Sequence, residues 1–241
     1  VRTWEQLTAA FEVFDSKTSV RDGSDRFFGA ARINNLSLPN FNKTESIAAL
    51  EYSAHICYPK LYKWGATSSE EDANNIMDKT GRSWEWLDEV IGHKNFQNKI
   101  PLNPLLKTIY VASAQFYWND PVAMKKLEEF VIYVSSEDVD SSRGQTMWDA
   151  CSWWIKEWKQ IITQTKTNQY KYKKDLSRGA ESKYTISYGL YCIDQYIQDK
   201  QIGRSPQDKT LQNYITTWQD RYSVNVANKT TQTSTRHQSR K

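Results

Sequence analysis

The chain has 241 residues, enough for one sizeable domain with a real buried core. Hydrophobic residues are 39% and charged residues 25%, and no apolar run reaches the length that a membrane-spanning helix needs. Nine Gly and six Pro exclude collagen-like and Pro-rich architectures and count against a turn-rich β-sandwich. The net charge is +4, and its position matters more than its size. From Tyr222 onward the chain holds Lys229, Arg236, Arg240 and Lys241 with no acid, so the remainder is balanced.

The apolar spacing is helical nearly everywhere. Thr3 can cap a helix carrying Trp4, Leu7, Phe11 and Phe14. Residues 15–43 break that pattern with Asp22-Gly23, Gly29, Pro39 and several Asn, and read as a long irregular segment. Its apolar members, among them Phe27, Phe28 and Phe41, suit an arm packed on its own body or on a neighbouring chain. Thr44 can cap the next helix, with Ile47, Leu50 and Ala54 inward and an end near Pro59. Ser68 with Glu71 forms a capping-box pattern ahead of a short helix with Ala73, Ile76 and Met77. Ser83 opens a separate one, with Trp84, Leu87, Val90 and Ile91, closed by Gly92. Asn103-Pro104 and Asp120-Pro121 each place a capping side chain before Pro at the first helical position.

Residues 135–144 read as an acidic loop. Met147, Cys151, Trp154, Trp158 and Ile161 then mark one helix face. Residues 163–180 have no apolar period and read as a loop or mobile segment. A helix resumes near Ser182 with Ile186, Leu190, Ile193 and Ile197. Ser205-Pro206 opens a last one with Leu211, Tyr214, Ile215 and Trp218 inward. Beyond Val226 the composition is polar and basic, as in disordered tails.

The expected fold is therefore all-α: an irregular bundle of about eight or nine helices with an irregular N-terminal arm and a basic disordered C-terminal tail. The expected organisation is an arm over residues 1–43, a helical body over 44–222 and a tail over 223–241. A division of the body into two lobes would fall near 92–103 or 135–145.

Catalytic signatures are missing. There is no Walker loop, dinucleotide-binding glycine pattern, H-E-x-x-H, EF-hand or G-x-S-x-G elbow. Only His55, His93 and His237 are available for imidazole chemistry. His55 and Cys57 supply at most half of a tetrahedral zinc set and read as core residues. Adjacent acids such as Glu128-Glu129 point about 100° apart on a helix, so they read as solvated faces. Trp84 and Trp86 read as packing or interface residues. Three Cys without a C-x-x-C pair argue for a reducing compartment. The opening residues hold no apolar signal core. No metal, cofactor or enzymatic activity is expected.

One pattern suggests a ligand. Residues 166–174 read Lys-Thr-Asn-Gln-Tyr-Lys-Tyr-Lys-Lys, followed by Arg178 and Lys183. Cations neutralise phosphates and tyrosine rings stack on unpaired bases without reading sequence. Lys166, Lys171, Lys173, Lys174, Arg178 and Lys183 are the candidate phosphate contacts, with Tyr170 and Tyr172 as stacking platforms. Arg21, Arg26 and Arg32 form a second candidate set, weakened by local pairing with Asp22 and Asp25. The expectation is a non-enzymatic, self-assembling, single-stranded nucleic-acid-binding protein of viral nucleocapsid or coat type. RNA is favoured over DNA, and the location would be the cytoplasm or a nucleoprotein particle or virion. Homo-oligomers are expected and membrane association is not. The alternative is an all-α protein–protein adaptor or scaffold without nucleic acid.

Overall fold

The computed structural model describes residues 23–41, 47–63, 69–97, 102–136, 178–200 and 214–221. They form seven helices and, among the described residues, no strand. In chain order these are α1 (Gly23–Ile33), α2 (Ile47–Cys57), α3 (Glu70–Gly92), α4 (Pro104–Tyr117), α5 (Pro121–Ser136), α6 (Arg178–Ile197) and α7 (residues 214–221).

Helix α4 is the centre. Every residue from Leu106 to Ala114 is buried, which is the signature of a helix covered on all sides. It packs against α2, α3, α5 and α6. Asn103 starts it by accepting from the Leu105 and Leu106 amides at 3.0 and 3.1 Å, with Pro104 next. Asp120 starts α5 the same way, through the Val122 and Ala123 amides. Two stretches of strand-like composition, Ile109–Val111 and Phe130–Val134, lie inside these helices. Helices α4 and α6 meet at Gly189, where a Cβ would stand 2.5 Å from the Ile109 Cδ1. A larger residue in that place would push the helices apart.

Three elements differ from the sequence expectation. The segment 15–43 is not irregular throughout, because Gly23–Ile33 is helical. Gly23 and Gly29 lower helix propensity, but Phe27, Ala30 and Ala31 bury one face on α2 and α3 and outweigh it. The helix ends in a left-handed Asn35 (φ 57°), with the Leu36 amide donating to the Ala31 carbonyl at 2.9 Å. Phe27, Phe41 and Trp84 form an edge-to-face cluster with centroids 5.1 to 6.1 Å apart, so this segment's aromatics fill the chain's own core. Asp88 fastens the following loop by accepting from the Asn40 and Phe41 amides at 2.9 and 3.0 Å.

The second difference is α3. The expected break at Thr80–Ser83 does not occur, and one helix runs for 23 residues. Gly81 lies inside it, where a Cβ would meet Leu36 at 2.8 Å. The glycine thus serves a close approach rather than a turn. The N-cap is Ser69, one residue later than expected, in a reciprocal capping box with Asp72. The third difference is α6, which starts at Arg178, inside the stretch expected to be a loop. The expected helices at residues 3–14 and 146–162 and the basic tail lie outside the described residues.

Candidate functional site

The sequence-derived nucleic-acid residues fall into three groups. Lys166, Tyr170, Lys171, Tyr172, Lys173, Lys174 and Arg21 lie outside the described residues. Arg178 opens α6, though only its backbone is described, and Lys183 is exposed one turn further on. Arg26 is half-buried and Arg32 exposed on α1. Helix α1 packs on α2 and α3, whereas α6 packs on α4 and α5. The two basic sets thus belong to different parts of the bundle. The described residues hold 14 Lys and Arg against 16 Asp and Glu, so the helical body itself carries no cationic excess.

His55 and Cys57 are core residues, as their sequence context suggests. Burial lowers the His55 pKa, and the nearby Lys183 charge adds to that effect. Burial raises the Cys57 pKa and keeps its thiol protonated. Among the described residues no group of three or more His, Cys, Asp or Glu could hold a metal ion. None of the described helices is long and apolar enough to cross a membrane.

Two constellations escaped the sequence reading. The first surrounds Asp194, whose side chain is 1% exposed. Its carboxylate accepts from the Tyr117 hydroxyl at 2.5 Å, from the Arg221 guanidinium at 2.6 Å and from the Tyr214 hydroxyl. Burial raises the pKa of both tyrosines, and the Asp194 charge raises it further, so both remain phenols and donors. Burial opposes the Arg221 charge, but Asp194 overrides it and holds the guanidinium protonated. Arg221 also lies over the Phe116 ring at 4.9 Å. Trp218 is fully buried beside Phe116, and Gln219 donates to the His55 carbonyl at 3.0 Å. Every donor on this carboxylate ties α7 or α4 to α6. The arrangement is a structural clasp, with the carboxylate buried beneath its three donors.

The second is a cleft of about 440 Å³ between the turn that follows α3 and helix α5. His93 and Lys94 line one side, and Lys125, Glu128, Glu129 and Tyr133 the other. Glu128 and Glu129 therefore do not simply face solvent. The two directions they point both border a wide cleft, because the α3–α4 turn stands over that edge of α5. The Asn95 amide donates to His93 Nδ1 at 3.2 Å, which leaves Nε2 as the ring's donor in the neutral form. No sequence spacing links His93 to Glu128. Only the packing of α3 beside α5 brings them together.

The fold thus defines an all-α protein whose described surface offers a charged cleft and whose strongest basic pattern precedes α6. Comparison with family models, curated proteins and solved structures finds no match.

Proposed function

We propose that this chain is a non-enzymatic, self-assembling protein that coats single-stranded nucleic acid, RNA in preference to DNA, in the manner of a nucleocapsid or coat protein. The observation that carries this reading is the distribution of charge. The described helices are slightly acidic, so the chain's excess of +4 comes from segments outside them. Of these, the Lys/Tyr run at 166–174 leads into α6 and the tail from Tyr222 has no acid. Helix α6 is anchored on α4 and α5, which would hold the end of the Lys/Tyr run on a rigid base. Phosphates would be neutralised by Lys171, Lys173, Lys174 and Lys183, and bases would stack on Tyr170 and Tyr172.

The test is binding of a fluorescent single-stranded oligonucleotide across a salt series, with light scattering and the 260/280 absorbance ratio of protein purified without nuclease. The expected result is a large, nuclease-sensitive particle and an affinity that falls steeply with salt. Lys171→Glu, Lys173→Glu and Lys174→Glu together should abolish binding while helical content is unchanged. A small nucleic-acid-free species with no oligonucleotide affinity would instead favour the adaptor reading, in which the Lys/Tyr run is a linker.

A further inference from the structure

We infer that the cleft between the α3–α4 turn and α5 is a binding site for a single nucleotide, with guanine the preferred base. This inference deepens the nucleic-acid reading and rests on it for the source of the ligand. The first argument is size. A volume of about 440 Å³ lies within the range of small-molecule sites, roughly 300–1,000 Å³. It exceeds what a lone phosphate or cation requires, and among the described residues no metal-holding cluster occurs there.

The second argument is unspent charge. Lys125 and Glu128 stand three positions apart on α5, a spacing that normally lets opposite charges pair. Among the described residues, Lys94, Lys125 and Glu128 form no ion pair. Their charges face a common cavity instead of neutralising one another. An occupant that satisfies both signs must carry an anionic group and N–H donors.

The third argument is the match of donors to acceptors. The Lys94 and Lys125 ammoniums and the His93 Nε2–H would donate to phosphate oxygens. The Glu128 carboxylate would accept from the base edge, and Tyr133 lines the same cleft. Guanine presents two adjacent N–H donors, N1 and N2, to the paired oxygens of one carboxylate. A zwitterionic amino acid also carries both charges, but it would leave much of the volume unfilled.

The test is calorimetric titration of the full chain, stripped of nucleic acid by a high-salt wash, with GMP, AMP, UMP and inorganic phosphate at low salt. GMP should bind more tightly than the other three. Lys94→Glu with Lys125→Glu should weaken GMP by about tenfold or more, with an unchanged thermal melt as the folding control. Lys94→Gln with Lys125→Gln serves if the charge reversals unfold the chain. Glu128→Gln should remove the preference for GMP over UMP. No GMP binding up to about 10 mM, equal affinity for phosphate, or wild-type GMP affinity in both lysine variants would overturn the site. The triple variant at Lys171, Lys173 and Lys174 should bind GMP normally. A chain that binds GMP but no oligonucleotide supports the cleft and overturns the coat reading. One that binds the oligonucleotide but not GMP does the reverse.

Discussion

Asp194 shows how one side chain can hold a terminal element. Tyr214, Trp218 and Arg221 seat the described part of α7, residues 214–221, on α4 and α6. Replacing Asp194 with Ala removes the acceptor for three donors. The cost should be about 2–4 kcal/mol in urea denaturation. It should stay below that of a fully buried pair, because Arg221 is 37% exposed and can turn to solvent. Tyr117→Phe, which deletes one donor and keeps the ring, should cost about 1 kcal/mol. His55 sets a pH dependence at the same scale. Burial depresses its folded-state pKa below the ordinary value of 6.5, so the unfolded chain binds the proton more readily. Its contribution is then fully present above pH 6.5 and is lost as the pH falls below it. Urea midpoints measured at falling pH should drop in that window for the wild type and drop less for His55→Gln. Equal slopes would remove His55 as the cause.

At the scale of elements, two glycines behave oppositely. A Cβ on Gly29 would meet nothing within 4 Å, and the residue sits inside α1. Gly29→Ala should therefore stabilise the protein by roughly 0.5–1 kcal/mol, the helix-propensity difference. A loss of stability instead would contradict the helical state of this segment. Gly189 is a spacer, since a Cβ there would stand 2.5 Å from Ile109 Cδ1 and 3.1 Å from both Cγ atoms. Gly189→Val should cost at least about 1–3 kcal/mol by overpacking. Pairing it with Ile109→Ala should recover part of that loss, and a double-mutant cycle would read the coupling. Additive effects would show that the α4–α6 contact at this point is not tight. Helix starts at Pro104 and Pro121 were legible in the sequence because capping is local, a side chain bonding amides two and three residues away. The continuity of α3 through Gly81 was not, because its cause is Leu36, which lies 45 positions earlier in the chain.

For the whole molecule, charge and core are separate properties. The described helices bury their apolar faces around α4, while the cationic excess lies in segments outside them. Deleting residues 222–241 removes four cations and should lower the salt slope of oligonucleotide binding by roughly 3 if all four contact phosphates. Deleting from residue 214 should also destabilise the body, because it strips Asp194 of two donors, and a thermal melt would show the difference. The sequence by itself determined the all-α class, the helix starts at Asn103-Pro104 and Asp120-Pro121, and the inward faces of α2 and α6. Those follow from periodicity and capping, which act over one or two turns. Tertiary structure alone decided that residues 23–33 are a helix, that α3 is unbroken, and that Asp194 gathers Tyr117, Tyr214 and Arg221. It also decided that His93 and Lys94 face Lys125 and Glu128 across a cleft. In each case the deciding contact joins residues far apart in the chain, and no local pattern records what a side chain meets after the helices have packed.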